Sequence, residues 1–268
     1  MNAPPRIFDR ELRRVRLARV APELLRSFGF LFEVAGEEMQ DRLMALLPAP
    51  VGNAATSGFA APPDMSRIAR QTERRTPLDL DEENSPFAAR SLDLYVSVLT
   101  LHAVNDLPGA LIQIRRALRP GGRFMAALFG PKTLHQLRTA MSEAELEIEG
   151  GVSPRVHPFV DVRDAGALLQ RAGFDEPVAD AFDVPVVYRD PLRLLHDLRG
   201  MGETNVLSER RKGPLRRATL ARAMEIYRDR FAVDGGVGGR CTQRVSEDKI
   251  VDRGEQCQLF ARRHRAWS

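Results

Sequence analysis

The stretch 92-LDLYVSVLTLHAVNDLPGALIQIRRALRPGGRF-124 decides the fold. Leu92–Leu99 is a nearly continuous apolar run, the pattern of a strand buried on both faces of a parallel sheet. Leu107, Leu111, Ile114 and Leu118 then mark one face of a helix. Arg119-Pro120-Gly121-Gly122 ends it, and Arg123–Phe129 makes the next strand. Strand, helix and strand in that order form a right-handed parallel crossover. In an open sheet of this kind ligands bind beyond the carboxyl ends of the strands, so the elbow Thr100–Asp106 lies on a ligand rim. His102, Asn105 and Asp106 are its polar groups. Asp106 caps the helix that opens at Leu107-Pro108. For His102 and Asn105 two readings stand side by side: groups that touch a ligand, or a satisfied rim histidine and a turn-closing asparagine.

Upstream, Asp9 caps a first helix running to about Arg26. A second helix carries Leu31, Ala35, Met39 and Leu43 at four-residue spacing, a core stripe. The segment 48-PAPVGNAATSGFAAPP-63 has no period. Met65–Arg75 reads as a short helix, Pro77–Leu80 as a short strand, and Asp81-Glu82-Glu83-Asn84 as an acidic turn. Downstream, Leu134, Leu137, Met141, Ala144 and Ile148 line a helix, and Gly150–Phe159 is a loop. A helix over 162–172 stops at Gly173. A strand follows at Phe182–Tyr188, then helices at Pro191–Arg199 and Pro214–Phe231. From Asp234 the apolar pattern fails, which predicts a poorly ordered tail over 234–268. The expected organisation is therefore N-terminal helices over 1–47 packed on an α/β domain over 48–233, with a helical C-terminal part before the tail.

Composition narrows the function. With 43% hydrophobic and 28% charged residues, the 268-residue chain falls in the ordinary globular range. No apolar run reaches the roughly 20 residues of a spanning helix, and the first residues lack a secretory apolar core. The expectation is no integral membrane segment and a cytoplasmic setting. Net charge is +4, but Lys132, Lys212 and Lys249 are the only lysines, and arginines alternate with acids along the chain. That argues against a phosphate-tracking surface and so against nucleic acid. Cys241 and Cys257, the only cysteines, point to a reducing compartment. Neither CxxC nor HExxH occurs, so no metal site is expected.

At the elbow the sequence resembles a known family. SLDLYVSVLTLHAVNDLPGALIQIRRALRPGGRF is similar to the fourth through fifth strands of class I S-adenosylmethionine-dependent methyltransferases. IFDRELRR at 7–14, EGGVSPRVHPF at 149–159, DVRDAGALLQRAGF at 161–174 and LRGMGETN at 198–205 resemble one branch of them. That branch holds the malonyl-carrier-protein methyltransferases of biotin synthesis and, closer, the complex I assembly factor 5 proteins.

The resemblance implies a Rossmann-like, doubly wound, mostly parallel sheet of seven strands whose first half holds S-adenosylmethionine. Carried onto this chain, Gly52 and Gly58 supply the glycine turn, Asp64 the ribose acid, and Asp81 and Glu82 the adenine side. Val98 and Leu99 border the cofactor at the strand tip. His102 removes an acceptor proton, with Asn105 beside it, and Gly150–Phe159 covers the site. The chain departs from this pattern between Leu47 and Leu78, where about thirty residues replace three strands and two connections. Pro48 and Pro50 interrupt the way into the glycine turn, and Pro62-Pro63 precede Asp64. The first half is thus shortened, with 48–77 a degenerate cofactor region. Two functions follow from the resemblance. One is an S-adenosylmethionine-dependent methyltransferase-like protein of unspecified acceptor. The other is a complex I assembly factor-like protein that binds a complex I subunit or hydroxylates an arginine, with cofactor binding weak or lost.

Overall fold

The computed structural model describes residues 6–20, 27–59, 63–188 and 190–232, and the backbone of 251–262. Among these, six strands form one sheet in the order β2-β1-β3-β4-β6-β5. They are β1 Val51–Ser57, β2 Ala69–Arg75, β3 Leu92–Val98, β4 Leu118–Phe129, β5 Asp175–Val187 and β6 Val251–Arg262. The first four run parallel, and β6 is antiparallel to both β4 and β5. The described helices are α1 Arg10–Leu17, α2 Phe30–Leu46, α3 Leu107–Ala117, α4 His135–Glu149, α5 Val162–Arg171, α6 Pro191–Gly200 and α7 Arg217–Phe231. None is long and apolar enough to cross a membrane.

The crossover read from the sequence sits at the centre of this α/β fold. β3 lies between β1 and β4, and its alternating side chains serve two cores. Leu94, Val96 and Val98 pack with Phe32, Ala35, Met39 and Leu43 of α2. Tyr95 faces the other side, with Leu111 and Ile114 of α3, Leu169 of α5, and Phe124 of β4. Burying each large side chain contributes about 1.5–3 kcal/mol, so covering both faces is what keeps a parallel strand in place. Asp106 caps α3 by accepting from Gly109 N at 2.8 Å. Asp161 caps α5 through Arg163 N, and Gly173, at φ 82°, ends it.

Four expectations are corrected. Val51–Ser57 is a strand despite Pro48 and Pro50, because both prolines precede its first residue and its small side chains fit under α2. Met65–Arg67 is only a 3-10 turn, and Ala69–Arg75 extends as β2 rather than forming a helix. Pro77–Leu80 is a turn in which Asp79 N and Leu80 N both donate to Thr76 O. The tail expected to be irregular contributes β6, whose main chain pairs along its length with β4 and β5; 233–250 and 263–268 lie outside the described residues. The first helix ends at Leu17, and its expected continuation over 21–26 also lies outside them. The first half is short as expected: among the described residues only β1 and β2 precede the acidic turn, with no α-helix between them.

Beyond β5 the helices α4, α6 and α7 form a third apolar cluster, with Leu137, Met141, Tyr188, Leu194, Met224 and Tyr227 inside. The N-terminal segment is stitched to the chain that follows α6. Asp9 N donates to Val206 O at 2.8 Å, Ser208 N donates to Ile7 O at 2.8 Å, and Phe8 bridges Leu207.

Candidate functional site

At the tip of β3 the backbone turns sharply. Leu99 takes a left-handed φ of 52° while its N–H still donates to Ala127 O at 2.9 Å. A branched residue adopts this region only where its surroundings force it, and such strain gathers at functional tips. The turn delivers His102 into the interior, 7% exposed. Its ring meets Phe129 edge-on with centroids 4.8 Å apart and lies over His157 at 6.5 Å. His102 Nε2 is 3.0 Å from Glu203 Oε2. Arg13 Nη2 stands 3.7 Å from Glu203 Oε1, and the two side chains are only 5% and 8% exposed.

Local sequence explains how four distant segments meet here. The Asp9 cap starts α1 so that Arg13 and Leu17 fall on its buried face. Gly202 has φ 77°, and a Cβ there would come 2.6 Å from Leu17 Cδ2. Only glycine lets the exit of α6 close on α1 and present Glu203. His157 comes from the Gly150–Phe159 loop, which Glu145 of α4 holds by accepting from Ser153 N and Oγ and from Arg155 Nε at 2.8–2.9 Å. Asn205 Nδ2 donates to Pro154 O at 2.8 Å, tying that loop to the Glu203 segment.

The electrostatics are those of a buried anion with close partners. Burial works to raise the Glu203 carboxyl, but the charge and hydrogen bond of His102 and the charge of Arg13 outweigh it and hold the group at about 2. Burial pushes His157 down to about 4; Glu203 pulls the other way, and His102, Arg13 and Arg16 add to the depression. An ionised carboxylate only accepts, so His102 Nε2 carries the proton it donates to Glu203. His102 Nδ1 is buried with no hydrogen bond, and Glu203 Oε1 likewise has none.

A cavity of about 270 Å³ opens beside this cluster. Leu31, Leu137, Met141, Leu194, Leu198 and Leu220 make its apolar wall, and Arg155, His157, Arg199, Glu203, Thr204 and Asn205 its polar side. An apolar pocket with a few converging polar groups is the usual form of a small-ligand site. Among the described residues no group of three or more His, Cys, Asp or Glu is placed to hold a metal ion.

The residues read from the sequence divide into three. His102 joins the cluster. Asn105 does not face the cavity: its Oδ1 accepts from Phe8 N at 2.7 Å and its Nδ2 donates to Phe8 O at 3.2 Å, so its amide clamps the N-terminal segment. The cofactor set is scattered or engaged. Gly52 lies early in β1, where a Cβ would meet Asp93 Oδ2 at 2.6 Å, and Gly58 after β1 lies against Val98 and its carbonyl. Asp64 caps the 3-10 turn ahead of β2, not the end of β2 where a ribose acid is implied. Val98 and Leu99 are each 1% exposed, in the core beneath α2. Asp81, Glu82 and Glu83 are ion-paired with Arg10 at 3.1, 2.6 and 2.9 Å. The tips of β1 and β3 are joined by Ser57, Thr100, Ser97 and Tyr95 hydroxyls bonded to one another at 2.8–3.3 Å. In this arrangement Arg10 and the strand-tip hydroxyls engage the groups that the resemblance would turn toward S-adenosylmethionine, and residues 60–62, just beyond Gly58, lie outside the described residues. Sequence reasoning missed Arg13, His157 and Glu203 as site residues, although IFDRELRR, EGGVSPRVHPF and LRGMGETN contain them.

Residues 42–126, from α2 into β4, match the methyltransferase domain family. The chain is 38% identical over 252 residues to the mitochondrial arginine-hydroxylase NDUFAF5 of Rattus norvegicus, covering 86% of this chain and 73% of that protein. It is 36% identical over 156 residues to the malonyl-[acyl-carrier protein] O-methyltransferase of Gallionella capsiferriformans (strain ES-2), covering 58% of this chain and 51% of that protein. Among solved structures it resembles phosphoethanolamine N-methyltransferase 2 of Haemonchus contortus, with TM-score 0.52 and 12% identity over 94% of this chain and 61% of that one. This last likeness concerns the fold alone.

Proposed function

Because the chain belongs to the NDUFAF5 family of methyltransferase-fold proteins, we propose that it serves complex I assembly by binding an arginine side chain of a partner subunit in the cavity beside Glu203. One observation carries the reading. A buried, ionised carboxylate, bonded to His102 through one oxygen and 3.7 Å from Arg13 through the other, lies along the polar side of an apolar cavity. A guanidinium on an aliphatic stem is complementary to both parts, since its planar fork pairs with carboxylates and its methylenes suit a leucine-lined wall. The name of the NDUFAF5 relatives supplies arginine as the residue class.

In this reading Glu203 holds the guanidinium, Arg13 keeps the carboxylate charged, and Phe129, His157 and Phe159 exclude water. His102, bonded to Glu203 through Nε2, fixes the orientation of the carboxylate. The two cysteines support a reducing, cytoplasmic-type compartment, while the relative's name puts that protein in mitochondria.

The test compares short peptides that differ at one position, arginine or its uncharged isostere citrulline, in titrations of the whole chain. Arginine is expected to bind about tenfold tighter or more, and Glu203→Gln is expected to remove the preference. Equal binding of the two peptides would overturn the reading, and a normal complex I level in a deletion strain would remove the assembly role.

A second reading is methyl transfer from S-adenosylmethionine, favoured by the methyltransferase domain match over 42–126. It needs Arg10 to leave the acidic turn and the hydroxyls at the β1 and β3 tips to part. Calorimetric titration with S-adenosylmethionine distinguishes the two: heat of binding at millimolar cofactor supports methyl transfer, and none excludes it.

A further inference from the structure

The sheet ends at β2. β2 follows β1 in unshifted parallel register from Val51↔Ala69 to Ser57↔Arg75. Gly58 N donates to Arg75 O at 3.1 Å, which sets the alternation along the strand. Counted back from that bond, Glu73 and Arg75 turn their main chain toward β1 and Thr72 and Arg74 turn theirs outward, while Val51 N donating to Ile68 O at 2.9 Å marks a change of alternation at the start of the strand. Among the described residues nothing pairs with that outward row, and Arg70, Gln71, Glu73 and Arg74 are exposed.

Proteins usually blunt such an edge with proline, a bulge or a covering element, because unpaired N–H and C=O groups invite another strand. β2 has no proline and no register shift. Its charge is one-sided. Glu73 is taken by Arg75 Nε at 2.8 Å. Arg70 and Arg74 share the opposite face, two positions on either side of Thr72. Neither forms an ion pair among the described residues, and Asp64 acts on Arg74 only through its longer-range field.

We propose that β2 is a docking edge that takes an extended, acidic segment of a partner protein as an added strand. Main-chain hydrogen bonds to Thr72 and Arg74 supply the affinity. Carboxylates at alternate positions of the segment, facing Arg70 and Arg74, supply the choice of partner. A second copy of this chain is a poor occupant, because edge against edge sets these arginines beside their own kind. The proposal does not depend on what the cavity binds.

The test uses the full chain and fluorescently labelled octapeptides. One alternates Glu with Thr and Val, a second replaces Glu by Lys, and a third keeps the acidic charge but carries alternate prolines. The acidic extended peptide is expected to bind about tenfold or more tighter than either control, and an Arg70→Glu/Arg74→Glu double variant should lose about the same factor. Amide exchange at Thr72 and Arg74 should slow on binding, a readout independent of any variant. Absence of binding, equal binding of the proline control, or indifference to the double reversal would each overturn the proposal.

Discussion

His102 and Glu203 are joined at 3.0 Å across 101 residues of chain. Their bond closes a relay from α1 to the tip of β3, because Glu203 also faces Arg13. Each partner has a separate cost of removal, and the site's stability and its chemistry are therefore separable by substitution.

Glu203→Gln keeps the size of the side chain and its reach to His102, but leaves Arg13 buried without a carboxylate. Breaking one half of a buried pair costs about 3–5 kcal/mol. Urea unfolding should show a loss of that order, with binding of the arginine peptide lost under conditions where the variant is still folded. A variant as stable as the parent would mean that Arg13 finds another anion.

Acid should destabilise the protein in two separable stages. His157 titrates at about 4 when folded against 6.5 when free. As pH falls through that window the unfolded chain takes up a proton that the folded chain refuses, so stability falls. The loss is on the order of 3 kcal/mol and is complete below the folded value. Glu203, held at about 2 against 4.5, contributes stability present above 4.5 and lost as pH drops toward 2. Denaturation midpoints against pH should lose the upper limb in His157→Gln and the lower one in Glu203→Gln.

Gly202→Ala should destabilise by about 1–2 kcal/mol or more, combining a left-handed backbone with overlap on Leu17. Gly213→Ala is the matched control, since a Cβ there meets nothing within 4 Å. The thermal midpoint should fall in the first variant alone; equal shifts would mean that α1 moves aside freely.

Arg10→Ala removes the cation that faces Asp81, Glu82 and Glu83 and leaves the buried Glu82 carboxylate alone. A loss of about 3 kcal/mol is expected. Adding Glu82→Gln should restore part of it, and a double-mutant cycle by chemical denaturation measures the coupling.

What could be read from the sequence followed from how much each element must bury. Leu92–Val98 announces itself because both faces of a central parallel strand are covered. α3 and α5 carry caps at Asp106 and Asp161 that leave a local mark. β1 is also paired on both sides but is built from Ala54, Ala55, Thr56 and Ser57, small residues in a close-packed core, so it shows no large apolar run. β2 reads as helix or loop because ARQTERR lies at the sheet edge and buries almost nothing. β6, VDRGEQCQLFAR, is charged and polar through its first half and gathers Leu259, Phe260 and Ala261 without alternation, so no strand period stands out. The site was legible at His102 alone, since a strand tip can be located from one stretch of sequence. Arg13, His157 and Glu203 become neighbours only through the stitching of Phe8 and Asp9 to Val206 and Leu207. No spacing within any single motif encodes that meeting.

The same stitching has a consequence for biosynthesis. On the ribosome Arg13 and His102 emerge well before the carboxylate that unites them, so the parallel strands can assemble around a pair of unanswered cationic and imidazole groups. A nascent chain released short of residue 203 would keep its central crossover yet hold a guanidinium with no counter-ion at the heart of its ligand face. Such fragments should be sticky substrates for chaperones rather than miniature versions of the protein.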